Sequence, residues 1–360
     1  LKTKTIEYIN DVKMVGIDLA SKVTIIEVAK EAGVGTSTVS RVLNAQSVSN
    51  EKRQAVLHAI RKLNYRPNLM ARNLRTNVSK ICGLVIPDIC NSFFGQIAGA
   101  AGAILEKQGY ELIIANTGQK TEKQNDAMQT MVSRQVDGIM LCAIGGKADV
   151  ANQINKDDCP IVVIDNKLER MEDLDSVMVD NVKSAYSLTE HLCMIGYRRI
   201  AIITGPLEQS SALERLTGYR RALADYNLQL DEEMIKEADF TIRGGRDAVS
   251  SLLYKKPDAI VAANNHLAIG AITEIRKSGF EVPDDIAVVG FDDTEVGELI
   301  DPPLTIMSQP AVEIGETAAR LLLHRICNEN ETIPSQERVL PARLIVRSSC
   351  GFYKKLGQIV

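Results

Sequence analysis

From Lys80 onward the chain repeats one rhythm: a short continuous apolar run, a polar turn, then a helical stretch of about 12–16 residues. The runs are Ile81–Ile86, Glu111–Asn116, Gly138–Cys142, Ile161–Ile164, Ile200–Thr204, Ala259–Ala262 and Ile286–Phe291, rich in β-branched residues and without polar alternation. The helical patterns between them fall at 94–108, 121–134, 181–195, 212–226, 243–254 and 264–278. A strand apolar on both faces needs cover on both faces, and intervening helices provide it, so the expectation is an α/β region with parallel sheets. A single sheet of ten or more strands tends to curl or split, so two Rossmann-like lobes are expected. The late segments Leu304–Gln309, 311–327 and Leu340–Arg347 read as chain passing back between the lobes. That sets lobe 1 at about 80–179 and 310–338, lobe 2 at about 180–307 and 339–350, and a tail at 351–360.

The first eighty residues are different. Residues 1–21 have no sustained periodicity and read as a disordered extension, with Met14 a candidate start. From Val23 apolar residues return at helical spacing: Thr24 and Glu27 form a capping-box pattern ahead of Val28, Ala29 and Ala32. Gly33 then offers the left-handed backbone of a tight turn. A second helix starts near Thr36 and a third runs from Ser49 to just before Arg66-Pro67. Residues 22–66 thus fit a small all-α helix-turn-helix domain, with Val28, Val34, Val39 and Val42 as its core. Thr36, Ser37, Thr38, Ser40 and Arg41 fall on the outer face of the second helix. Hydroxyls suit phosphate oxygens and base edges, and an arginine suits the bidentate edge of guanine. Charge agrees: residues 22–75 hold ten Lys or Arg against three Glu, whereas the whole chain carries −4. A basic module on an acidic body is the footprint of a phosphate-backbone binder.

The segments Val-Thr-Ile (23–25), Glu-Val-Ala (27–29), Ala-Gly-Val (32–34), Thr-Val-Ser-Arg-Val-Leu-Asn (38–44) and Leu-Asn-Tyr-Arg-Pro-Asn (63–68) closely resemble the DNA-binding end of the lactose/galactose repressor family. The likeness runs on to about residue 349. It implies a small helix-turn-helix domain joined to a periplasmic-binding-protein-like two-lobed domain. The implied activity is a ligand-responsive repressor of carbohydrate-utilisation genes. Implied partners are a pseudo-palindromic operator and a second copy of the chain, with a phosphocarrier protein as a further candidate. By this likeness Thr36, Ser37 and Arg41 read the major groove, and Asn44 joins the DNA contacts. Residues 67–79 become a hinge helix and linker, with Asn68, Ala71 and Arg72 at the DNA and Leu74 wedged into the minor groove. A helix of seven residues is too short to hold alone in water, which suits one that orders only against DNA. Gly35 departs from the hydroxyl common in the family at its position.

Ligands of open α/β lobes sit at the carboxyl ends of the strands, so polar residues just past each run are the candidates. Those are Asp88, Asn91 and Phe93, then Asp165, Asn264 and Asp292, with Arg215 early in a helix of the second half. Resemblance assigns Asn91, Arg215, Asn264 and Asp292 to effector binding. Carboxylates, amides, an arginine and a phenylalanine face suit a polyol. Simpler roles stay open: Asn264 or Asp292 as helix caps, and Arg215 in a surface ion pair. Asn265 stands where relatives commonly carry an acid, and Cys90 where they carry another polar residue. The effector therefore stays open among a neutral sugar, a sugar acid, a sugar phosphate and a purine.

Other chemistries find little here. Seven cysteines are scattered without a CxxC pair, pointing to buried thiols in a reducing cytoplasm. Four distant histidines form no metal-ligand spacing, and no nucleophile elbow or phosphate loop is present. No enzyme activity, cofactor or metal is expected. No apolar run reaches bilayer length, so the expected location is cytoplasmic, at the nucleoid when on an operator, with no membrane partner. A heptad tail for tetramers is not seen after Arg347.

Overall fold

The computed structural model describes residues 23–43, 46–65, 78–157, 159–294, 297–328 and 333–356. It divides into two compact units, meeting between Val78 and Ser79.

The first unit has three described helices: α1 (Ile25–Glu31), α2 (Thr36–Leu43) and α3 (Asn50–Lys62). The Thr24–Glu27 capping box is formed, with the Thr24 amide donating to Glu27 Oε2 at 2.7 Å and the Glu27 amide to Thr24 Oγ1 at 3.4 Å. Gly33 takes φ +63 between α1 and α2. Val28, Ala29, Val39, Val42, Val56 and Ala59 are buried together, with Val34 partly buried against them. So small a core gains from ties at its edge, and Lys62 of α3 pairs with Glu31 of α1 at 2.7 Å.

The second unit holds two six-stranded sheets of matching order, β2-β1-β3-β4-β5-β11 and β7-β6-β8-β9-β10-β12. The first comprises β1 (Ile81–Ile86), β2 (Glu111–Asn116), β3 (Gly138–Cys142), β4 (Ile161–Ile164), β5 (Asp175–Val179) and β11 (Glu337–Leu340). The second comprises β6 (Ile200–Thr204), β7 (Ile235–Glu237), β8 (Ala259–Ala262), β9 (Ala287–Phe291), β10 (Thr305–Ser308) and β12 (Arg343–Ile345). All pairings are parallel except β10 with β12. Helices α4 (Ser92–Glu106), α5 (Thr121–Ser133), α6 (Asp149–Lys156) and α11 (Ala311–Cys327) cover the first sheet. Helices α7 (Asn181–Met194), α8 (Ser210–Asp225), α9 (Ile242–Leu252) and α10 (Asn265–Lys277) cover the second, and α12 (Phe352–Leu356) closes the described chain. Cys82, Leu84 and Ile86 point into one core layer of lobe 1 and Val85 into the other, which is why the strands carry no polar alternation.

Three differences from expectation have plain causes. Leu304–Gln309 and Leu340–Arg347 are not bare connectors, since both contain paired strands. The final crossing falls later than expected, because Val339 and Leu340 still pair with Met178 and Val179 of lobe 1. The short helix α6 and the strands β5, β7 and β11 lie outside the seven expected runs, having few residues or a polar start. Of the cysteines, Cys82, Cys142, Cys159, Cys193 and Cys350 are buried free thiols, whereas Cys90 and Cys327 are exposed. No described helix is long and apolar enough to cross a membrane.

Candidate functional site

On the first unit, the sequence places a polar helix where the structure exposes one. Thr36, Ser37 and Arg41 are exposed, Thr38 and Ser40 half-buried, while Val39 and Val42 of the same helix are buried. The Gly35 carbonyl accepts from the Thr38 and Val39 amides at 2.9 and 3.2 Å, so α2 starts at Gly35 and Thr36 and Ser37 form its opening turn. Unpaired amides of a first turn attract phosphate oxygens. A Cβ on Gly35 would meet only Ser37 Oγ, at 3.7 Å, so backbone packing does not require glycine there. Asn44, Asn68, Ala71, Arg72 and Leu74 lie outside the described residues, as does residue stretch 1–21.

In the second unit the strand order reverses beside β1 in one sheet and beside β6 in the other, and such reversals open a crevice at the strands' carboxyl ends. Loops from both lobes line one cleft there. Asp88, Asn91, Phe93, Asp165, Arg215, Asn264 and Asp292, all seven residues expected from sequence, line it together.

Two carboxylates occupy equivalent positions in the two lobes. Asp165 follows β4 and Asp292 follows β9, the matching strands of the two lobes, and both have left-handed backbones at φ +72 and +65. Each amide continues the sheet, Asp165 donating to Val177 O at 3.2 Å and Asp292 to Met307 O at 3.1 Å. A non-glycine residue at positive φ is costly, and such strain collects at binding sites where surrounding structure over-determines it. Burial pushes the Asp165 carboxyl up to about 6, with Arg215 pulling the other way and Asp292 and Glu214 adding to the rise. Burial likewise raises Asp292, against Arg215, a 2.6 Å hydrogen bond from Gln309 Nε2, and His266.

Arg215 is only 3% exposed, which removes the surface ion-pair alternative. Its Nε donates to Asn181 Oδ1 at 2.9 Å and its Nη1 to the Ala263 carbonyl, and the guanidinium lies 4.2 Å over the Phe291 ring. Asn264 does cap α10, its Oδ1 accepting from the Leu267 amide at 2.8 Å, which leaves its NH₂ uncommitted by the cap. Asn91 caps α4 through the Phe93 amide at 3.0 Å. Phe93 and Phe94 meet edge to face at 5.2 Å. Asp293 does not share the cleft role of Asp292; it holds Arg347 at 2.8 Å.

Sequence reasoning passed over Asn166, Gln209, Ser211, Phe240 and Gln309, which also line the cleft. Asn166 and Gln309 sit just past β4 and β10, so the same rule of looking past strand ends reaches them once β10 is seen as a strand. Phe240 follows the three-residue strand β7, too short to signal itself. Among the described residues no cluster of His, Cys, Asp or Glu could hold a metal ion.

Two family models match the chain: bacterial regulatory proteins of the lacI family over residues 24–68, and periplasmic binding proteins and sugar binding domain of the LacI family over residues 79–355. The ribose operon repressor of Haemophilus influenzae is 34% identical over 331 residues, covering 91% of this chain and 98% of its own length. The fold matches the lac repressor dimer bound to operator and the anti-inducer ONPF, with TM-score 0.78, 28% identity, and coverage of 91% of this chain and 99% of that one. A complex of the transcriptional regulator CelR with cellobiose matches with TM-score 0.70 and 32% identity, over 91% of this chain and 99% of that one.

Proposed function

Because the chain belongs to the LacI family, and so is a DNA-binding transcription repressor governed by a sugar or other metabolite and not an enzyme, we propose that its effector is a small uncharged polyol. The charge of the cleft carries this reading. Asp88, Asp165 and Asp292 line it against Arg215, the one basic lining residue among those described, and Arg215 already serves Asn181 and Ala263. A sugar acid or sugar phosphate would add negative charge beside one buried and two half-buried carboxylates. Neutral hydroxyls instead donate to them, while Asn166, Asn264 and Gln209 supply amide donors and the phenylalanine faces cover C–H surface. Cellobiose, in the CelR complex, is an uncharged sugar, and so is the ribose in the name of the Haemophilus relative.

At the DNA, each copy reads one half-site of a pseudo-palindromic operator, with Thr36, Ser37 and Arg41 at base edges and phosphates. Asn44, Asn68, Ala71, Arg72 and Leu74 complete the contact. A homodimer matches the twofold operator, as in the lac repressor dimer, and works in the cytoplasm at the nucleoid. Effector and operator then trade affinity by linkage.

Thermal unfolding with a panel of neutral sugars, sugar acids and sugar phosphates tests the effector class, alongside anisotropy on an operator selected from random duplexes. Stabilisation of about 2.7 kcal/mol is expected at a hundredfold excess over Kd, from a neutral sugar. Stabilisation by phosphorylated sugars alone refutes the polyol. Operator affinity that answers only to a phosphorylated carrier protein shifts the regulatory site to the outside of lobe 1.

A further inference from the structure

Asn91 and Asn265 come from opposite lobes and meet as a reciprocal amide pair. Asn91 Nδ2 donates to Asn265 Oδ1 at 3.2 Å, and Asn265 Nδ2 donates to Asn91 Oδ1 at 3.1 Å. Both are nearly out of solvent, at 6% and 1% exposure. Each oxygen also holds its own helix start: Asn91 Oδ1 accepts from the Phe93 amide at 3.0 Å, and Asn265 Oδ1 from the His266 amide at 2.8 Å. The pair thus rivets the first turn of α4, which carries cleft-lining Phe93 and Phe94, to the first turn of α10, which follows cleft-lining Asn264.

The lobes are also joined where the loop after β4 meets the start of α8. Asn166 Oδ1 accepts from the Ser211 amide at 2.9 Å, and the Lys167 amide donates to Ser210 Oγ at 2.8 Å. Gly145, at φ +109, lets the Glu208 carbonyl approach so closely that a Cβ would lie 3.0 Å from it. Closure is therefore held by protein groups of both lobes, with buried, fully paired amides that lose their partners on opening.

We propose that the Asn91–Asn265 pair is a latch that keeps the two lobes closed in the effector-free protein. Effector binding then need not drive closure; it changes what a closed cleft contains. This deepens the effector-responsive reading, but its test uses neither effector nor DNA, so either can fail alone.

Dyes on Lys107→Cys and Ser278→Cys, at the far ends of α4 and α10, report opening by single-pair energy transfer in the full chain, with Cys90 and Cys327 changed to serine and labelled copies diluted in unlabelled ones. The unliganded latch-intact protein should show one high-transfer population. Asn265→Ala should shift the closed-to-open ratio by about 5- to 100-fold, as expected for two buried neutral hydrogen bonds. Asn91→Ala should do at least as much, and the double variant no more than Asn91→Ala, since one interaction is lost once. Unchanged transfer in Asn265→Ala, or effects that add in the double variant, overturns the latch. Should Asn265→Ala lose its helical circular dichroism, Asn265→Leu, of similar volume and without hydrogen bonds, takes its place; a closed Asn265→Leu protein refutes the proposal.

Discussion

Replacing Asp165 by Asn should make the effector-free protein more stable and its effector binding worse. Ionising a carboxylate shielded from water is unfavourable, and the desolvation of half-buried Asp165 moves it from its ordinary 3.8 to about 6. Such a displacement corresponds to a ceiling of about 3 kcal/mol, lowered to the extent that the cleft admits water. The direction with pH follows from linkage. A folded-state value above the unfolded one means the folded protein binds more protons between pH 3.8 and about 6, so stability falls as pH rises through that window. Above it the penalty is complete. Asparagine removes the charge, tolerates the left-handed backbone at φ +72, and keeps an oxygen for the 3.0 Å hydrogen bond from Asn166 Nδ2. Urea unfolding followed by far-ultraviolet circular dichroism should show Asp165→Asn gaining up to about 3 kcal/mol at pH 8 and roughly a third of that at pH 4.5. Saturating effector should reverse the order, because the wild-type carboxylate takes hydroxyl donors and the amide oxygen takes them less strongly. Equal changes at the two pH values, or a loss of stability at pH 8, would refute the account of a carboxylate held charged for its ligand.

Three further outcomes follow. Arg41→Ala should weaken operator over random DNA by about 1–3 kcal/mol; equal loss on both in competition anisotropy contradicts base reading. Effector affinity should rise with pH through about 6, as Asp165 ionises and accepts ligand hydroxyls, and titration calorimetry showing a flat profile from pH 5 to 8 would sink that assignment. Arg325→Ala should destabilise the second unit by about 3–5 kcal/mol, since Arg325 pairs with Asp175 at 2.7 and 2.8 Å and Asp175 is 3% exposed; an unfolding midpoint within error of wild type would show the pair to be dispensable.

The legible parts of this protein are those governed by local pattern. Apolar runs such as Ile161–Ile164 announce buried parallel strands because a doubly covered strand favours apolar side chains on both faces. Thr24, Glu27 and Gly33 announce helix ends because capping and left-handed turns depend on the residues at those positions. The rule that ligands sit past strand ends gathered six cleft residues from nearly the whole length of the second unit. It stopped short at Gln309 and Phe240, which follow strands that sequence patterning could not separate from loops.

What the sequence by itself determined is the kind of site: which residues stand at strand ends, and that they carry carboxylates, amides and one arginine. Tertiary structure decided how those groups are spent. Arg215 leaves an acidic effector open until packing shows two of its donors serving Asn181 and Ala263. Asn91 reads as a polar group at the cleft, and only the folded lobes bring Asn265 against it, 174 residues away in the chain. Hydrogen-bond partners and dielectric are properties of the surroundings, and surroundings assembled from distant segments exist only once the two lobes have folded and met.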